Sequence, residues 1–389
     1  MSENNGIKEP LNKNNKVPKL RFPSFKDDWK KTLIEDICTN EKYSFTGGPF
    51  GSNLKVGDYT QSGVRVIQLN NINDIYFNDD NKVFVSVEKA DSLKSCNAYS
   101  GDLIFAKMMP AGRLCILPKT YDRYLLGSDA IRLKPNIDKY YCFFLLECLN
   151  RTIIRNSITS KTSGSTRQRI GLLDLKKTSF YCPNYIEQKQ IGLFFELIEF
   201  KISNISKKIN ILKKYKEGVF RMIQINASNC IKLGDFCDLY QPKTIAQSLL
   251  KINGKYPVYG ANGIIGYYNN YNHETSQVIV GCRGNCGAIQ LTNNKSWING
   301  NAMVIKPLNN IKLIYLYYLM HTIRFDKIIE KSSVPQITRD KMKTIKIPAN
   351  FDNRILDMLI FLDKKIELLQ KEVKVLIKIK LQLLNILFI

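Results

Sequence analysis

Histidine and acidic residues are both scarce in this chain of 389 residues. The 2 histidines, His273 and His321, are too few for histidine-based metal cages or serial acid–base relays. The 34 acidic residues stand against 58 lysines and arginines, a formal charge of +24 at pH 7. Such an excess repels itself and is kept where an anionic partner screens it, a nucleic acid or an anionic membrane face. Long apolar runs are missing too. No stretch approaches the ~18 apolar residues of a spanning helix; Ile311–Met320 is short and interrupted by Lys312. The opening MSENNGIKEPLNKNNK has no apolar core of a signal peptide. The 10 cysteines are scattered, without a secretion signal, so reduced thiols and a cytoplasmic location are expected.

What the chain does have is repetition, in a length that accommodates two or three domains. Apolar residues step by four and three through Ile191, Phe195, Ile198, Ile202, Ile205, Ile209 and Leu212, then Val219 and Ile223. The same ladder returns at Ile355, Leu359, Leu362, Ile366, Leu369, Val373 and Leu376, then Leu383 and Leu387, displaced throughout by 164 residues. The heptad slot that breaks each ladder is a lysine, Lys216 and Lys380. This spacing keeps one apolar seam along a helix of about 50 Å at 1.5 Å per residue. Neither helix buries its seam alone, and each is the natural partner of the other. A pseudo-twofold relation between the halves makes the pair antiparallel, with the two lysines at the edge of the seam.

The segments before the helices echo each other as well. Ile34–Cys38 resembles Leu233–Cys237, each opening a mixed region; Ser-rich loops at Ser163–Ile170 and Ser332–Ile337 close them, ahead of Pro183 and Pro348. Strands are expected at Val64–Leu69, Asp102–Ala106, Gln277–Gly281 and Ala302–Ile305, with helices at Lys139–Asn150 and Leu313–Arg324. The fold class is α+β: a leader over 1–30, a globular region over 31–185 and a helix over 186–225, then a second region over 226–350 and its helix over 351–389.

No catalytic constellation emerges. Cys182–Tyr185 lacks the second proline of an amino-methyltransferase loop, and no phosphate-binding Gly-x-x-x-x-Gly-Lys-Ser/Thr string occurs. The glycine-rich Gly281–Gly287 has no acidic ribose partner and reads as a tight turn. Cys282 and Cys286 lack a second ligand pair for zinc. Glu187-x-Lys189 and Glu372-x-Lys374 have a nuclease-like spacing, but beside heptad helices they read as solvated faces. No catalytic, cofactor or metal residue is expected in this chain.

Polar loops suited to reading duplex DNA are abundant. Arginine or lysine pairs with guanine, and asparagine or glutamine with adenine, in the major groove. In the first half the candidates are Arg65, Gln68, Asn70, Asn71, Lys107, Arg113, Arg167, Gln168 and Arg169. In the second they are Asn262, Arg283, Asn285, Asn299, Asn301, Lys331 and Gln336.

At these loops the chain resembles the specificity subunit of a Type I restriction–modification system, over nearly its full length. Val17–Trp29 is similar to the family's leader. Gly48-Pro-Phe-Gly-Ser-Asn-Leu-Lys55, Arg65–Asn71 and Gly101–Lys107 resemble one type of target recognition domain. Tyr256–Tyr267 with Val278–Gly287 resembles another, and Glu187–Ile191 matches the family's approach to the first helix; Asp352–Leu356 is a looser version. The resemblance implies two tandem target recognition domains, each followed by a helix of an antiparallel coiled coil. Each domain reads half of a bipartite DNA site, and the helices space the halves and dock two modification subunits. Those partners supply S-adenosylmethionine chemistry, and motor–nuclease restriction subunits add ATP and magnesium; no membrane is involved. The competing classes are a self-contained DNA methyltransferase or nuclease, and an RNA-binding protein.

Overall fold

The computed structural model describes residues 17–164, 167–225, 229–308, 311–330, 333–349 and 352–389. They form two compact units, the residues up to Asn204 with Val373–Ile389, and Ile205–Glu372. The long helices span Tyr185–Ile225 and Asn353–Leu387, so each unit combines a mixed α/β region with a part of each helix. Among the described residues, no helix is long and apolar enough to cross a membrane.

In the first unit an antiparallel ribbon pairs Lys30–Leu33 with Ser179–Cys182, bringing the two ends of the globular region together. Two five-stranded sheets lie between them. The strand Leu103–Ala106 shows why both are buried: Leu103 and Phe105 enter one hydrophobic core, Ile104 and Ala106 the other. A strand covered on both faces needs apolar residues at every position, which is how that run reads. The expected strand at Val64–Leu69 stops at Ile67. Asn71 ends it: its Oδ1 accepts the Gln68 amide at 2.8 Å and its Nδ2 donates to the Asn78 carbonyl at 2.8 Å.

The described part of the leader, from residue 17 on, contributes to this core. Trp29 is buried against Phe144 and Phe388, and Arg21 Nε donates to Glu187 Oε1 at 2.7 Å. Glu187 is fully buried, which corrects its reading as a solvated helix residue. Its charge is tolerated because a bidentate arginine, with a second bond of 2.8 Å from Nη2, replaces the lost water.

Within the first unit, seam residues Ile191 and Phe195 share a core with Leu387 and Phe388. The two helical segments run antiparallel there: Phe195 meets Phe388 at 5.8 Å between ring centroids, and Glu199 meets Lys380 at 2.5 Å. Lys380 is itself buried and also lies 2.8 Å from Glu147 Oε1.

In the second unit a ribbon of Cys230–Lys232 with Lys346–Pro348 closes the globular region in the same manner. A four-stranded and a three-stranded sheet follow. Val278 and Val280 enter one core and Ile279 the other, repeating the two-faced burial of the first unit. Here Val219, Phe220 and Ile223 of the first long helix pack with Leu356 and Leu359 of the second and with Tyr318. Lys216 Nζ donates to Asp363 at 2.6 Å, and the Tyr318 hydroxyl donates to the same carboxylate at 2.7 Å.

The other seam positions are all buried or half-buried. Each helix also keeps a second apolar stripe in water, roughly a third of a turn from its seam. Leu197, Ile211 and Tyr215 are exposed on the first helix; Phe361, Val375 and Ile379, again 164 residues on, are exposed on the second.

Candidate nucleic-acid interface

In the first unit the polar loops meet at one turn, Gly127–Ala130. The Gly127 amide donates to the Ile67 carbonyl at 2.8 Å, fixing the strand end that leads to Gln68 and Asn70. The Lys107 amide donates to the Asp129 carbonyl at 2.8 Å, and Arg169 Nε donates to Asp129 Oδ1 at 2.7 Å. The Ser-rich loop closes on itself between Ser163 and Arg169, with amide–carbonyl bonds of 3.0 and 2.9 Å. It then joins the Lys107 strand end: Ile170 donates to the Lys107 carbonyl at 3.0 Å, and Met109 to the Gln168 carbonyl at 3.2 Å. Gly164 has φ +112°, and a Cβ there would stand 2.8 Å from the Arg167 carbonyl, so the closed loop requires glycine. Arg167 and Gln168 are left exposed at its tip, and Arg113 lies nearby with Nη2 3.5 Å from the Leu69 carbonyl. Gln68, Asn70, Lys107, Arg113, Arg167, Gln168 and Arg169 therefore share one edge.

The second unit repeats the arrangement with other residues. Ile337 donates to the Cys282 carbonyl at 2.9 Å and Gly284 to the Pro335 carbonyl at 3.0 Å, as Ile170 and Met109 do in the first. Arg283 and Asn285 project from the turn that Gly287 closes on the Gly281 carbonyl at 2.8 Å. Asn301 joins them, because its carbonyl accepts the Cys282 amide at 2.9 Å and the Arg283 amide at 3.3 Å. Asn262 is brought in by the hairpin Tyr256–Gly260/Gly263–Tyr268, whose turn carbonyls on Gly260 and Ala261 accept from Gln290 at 3.3 Å. Gln336 bridges Arg283 on one side and Glu330 on the other. Hydrogen bonds from Lys341 and Gln336 hold the Glu330 carboxyl below its usual range, so it stays ionised and orients Gln336. Lys331 lies outside the described residues.

Arg65 is a correction: it is 0% exposed, although it belongs to a polar-looking string. Its Nε donates to Asp79 at 2.9 Å and Nη1 to the Val66 carbonyl at 2.5 Å, while Phe77 and Phe84 flank the guanidinium at 5.6 and 5.9 Å. Burial opposes ionisation of Asp79, but hydrogen bonds from Arg65 and Lys82 outweigh it and hold the carboxyl low. Such an arginine is a core cross-link. Asn71 and Asn299 are buried as well and withdraw from the set for the same reason. Among the described residues, no group of three His, Cys, Asp or Glu side chains is placed to hold a metal.

Sequence reasoning missed Asp129, which joins two loops far apart in the chain, and Glu199 and Asp363, which face the ladder-breaking lysines. Only the last two carry a sequence signal: they are 164 residues apart, the same displacement as Lys216 and Lys380.

The fold agrees with that of known proteins. A curated Haemophilus influenzae protein bearing the name of a type I restriction enzyme specificity subunit is 27% identical over 106 residues, 26% of this chain and 28% of that protein. The EcoprrI specificity subunit of Escherichia coli is 24% identical over 110 residues, 28% of this chain and 27% of the relative. The matched stretch thus spans just over a quarter of the length of each. A crystal structure of a Type I restriction-modification S subunit from M. genitalium superposes with a TM-score of 0.64 at 18% identity, over 96% of this chain and 99% of that one, and so shares the fold. The model of the Type I restriction modification DNA specificity domain matches residues 26–214 and again 228–378. The chain belongs to the Type I restriction modification DNA specificity domain family, and it carries two copies of that domain in tandem.

Proposed function

We propose that this chain is the non-catalytic DNA-recognition subunit of a Type I restriction–modification complex and reads a bipartite duplex site. The observation that carries the reading is the pair of equivalent loop sets. At the same place in both units, a strand end and a returning loop are hydrogen-bonded together and leave Arg, Gln and Asn at one edge, with Lys107 added in the first. These side chains suit the guanine and adenine edges of a major groove. Each set differs in residues, as two different half-sites require.

The long helices are proposed to form one antiparallel coiled coil that separates the two half-sites. Buried seam residues in both units and the related ion pairs Glu199–Lys380 and Lys216–Asp363 support it. The repeated exposed stripe, Leu197, Ile211 and Tyr215 with Phe361, Val375 and Ile379, supports docking of two identical modification subunits. S-adenosylmethionine, ATP and magnesium then belong to the modification and restriction partners.

The test is methylome sequencing of a host that expresses the chain with its modification subunit. Replacing residues 230–348 by the corresponding region of another family member should change one half of the methylated motif and keep the other. A change in both halves, or in neither, would overturn modular reading. Competition by RNA as strong as by duplex DNA would favour the RNA-binding class.

A further inference from the structure

The first unit holds an exposed aromatic that the base-reading set does not use. Phe50 is 83% exposed, in the loop Gly48-Pro-Phe-Gly-Ser-Asn-Leu-Lys55. A single exposed phenylalanine is ordinary on a surface. This one is held out by a loop fixed at both ends. On one side Pro49 is buried and the Gly48 amide donates to the Ala130 carbonyl at 2.9 Å. A Cβ on Gly48 would fall 1.8 Å from the Gly127 carbonyl oxygen, so the two glycine backbones meet with no room for a side chain. On the other side Leu54 packs on a hydrophobic core, and the Lys55 amide donates to Asp58 at 2.7 Å. The Asn53 amide closes the turn on the Phe50 carbonyl at 2.9 Å.

The place of this anchoring gives the loop its meaning. Gly127–Ala130 is the turn that also fixes Lys107, Arg169 and the strand end before Gln68. Phe50 is two residues from Gly48, at most about 7 Å of chain. The aromatic is therefore tethered, by two residues of chain, to the same turn that holds the loops carrying the cations and the amide side chains. Cations position a phosphate backbone, and an apolar side chain among them suits the inside of a base stack.

We propose that Phe50 is an apolar wedge that enters the base stack of duplex DNA at the half-site read by the first region. The wedge rests on the DNA-recognition reading above. It partly unstacks one base step, and the preset loop keeps the ordering cost of insertion low.

The experiment uses the full chain assembled with its modification subunit, and a duplex carrying the methylated motif with 2-aminopurine at successive positions. Binding of the unaltered complex should raise the fluorescence at one position in or beside the first half-site. Phe50→Ala should abolish that rise and weaken Kd about tenfold, which corresponds to 1.4 kcal/mol. Phe50→Trp should keep both, since another aromatic fills the same step. A Phe50→Ala complex with unchanged fluorescence and Kd would overturn the wedge while leaving DNA recognition standing. Loss of subunit assembly in Phe50→Ala would overturn it in favour of a protein contact. Absence of duplex binding by the unaltered complex would overturn the recognition reading and the wedge together.

Discussion

Replacing Lys380 by methionine should destabilise the first unit far more than the same change at Lys216 destabilises the second. Lys380 Nζ lies 2.5 Å from Glu199 and 2.8 Å from Glu147, whose side chain is 2% exposed. Removing the cation leaves a buried carboxylate without its counter-charge, a change that costs about 3–5 kcal/mol. Lys216 faces Asp363, which is 35% exposed and keeps the Tyr318 hydroxyl, so solvent screening limits the loss to about 1 kcal/mol. The loss at Lys380 should also depend on pH. Burial raises the Glu147 carboxyl to about 7 despite Lys380. Its folded value lies above its unfolded one, so its contribution to stability is present below about 4.5 and is lost as pH rises through 7. Without Lys380 the carboxyl is held higher still, and the deficit should be widest at pH 8 and narrow towards pH 5. The chain has 2 tryptophans, Trp29 in the first unit and Trp297 in the second. A Trp297→Phe background therefore lets Trp29 fluorescence follow urea unfolding of the first unit alone. Adding Glu147→Gln and Glu199→Gln to Lys380→Met should restore most of the stability. A deficit below about 1 kcal/mol at pH 8, the value of a surface pair, or one equal at pH 5 and pH 8, would refute the reasoning.

Arg65→Ala should lower the stability of the first unit by several kcal/mol, because it strips a buried ion pair and a stacked core group. Arg167→Ala should leave urea unfolding unchanged, weaken duplex binding and reduce the salt slope by about one. A seven-residue insertion after Ser206 keeps the seam in phase and adds about 10 Å of helix at 1.5 Å per residue. Host DNA sequencing should then show the same half-sites with a gap longer by roughly three base pairs at 3.4 Å each; an unchanged gap would mean that the helices do not set it. Burial, aided by Lys216, lowers His321 to about 4. Its contribution is present above about 6.5 and is lost as pH falls through 4, so His321→Phe should flatten acid unfolding followed at Trp297 in a Trp29→Phe background.

The helix seams were legible because a 3.5-residue repeat has one physical solution, and because two copies share one displacement. The central strands were legible as apolar runs, since Leu103–Ala106 and Val278–Val280 bury both faces. That same two-faced burial made Arg65 illegible: a guanidinium in a fully covered strand has the letters of a surface loop and the surroundings of a core. Glu187 was illegible for a related reason. Its partner Arg21 lies 166 residues away, so no local spacing announces the pair. Among the base-reading candidates, residue type alone could not separate exposed Arg167 from buried Asn71. What separates them is which backbone groups the Gly127–Ala130 turn and the closed Ser163–Arg169 loop bring together.

The closing ribbons bear on how such a chain diversifies. Lys30 stands opposite Cys182, and Cys230 opposite Pro348, so each globular region leaves the framework through two neighbouring strands of one short ladder. Genetic crossovers located in those strands exchange a whole region through a single backbone gateway. The ladder re-forms from main-chain hydrogen bonds that most residue types can supply, so an incoming region need not resemble the one it replaces. Crossovers between Lys107 and Arg169, or between Cys282 and Ile337, would instead separate Asp129 from one of its partners, or Cys282 from Ile337, and dismantle the loop sets. In related genes the breakpoints of recombination should therefore gather at the ribbon strands, and inheritance of half-site preference should be all or none.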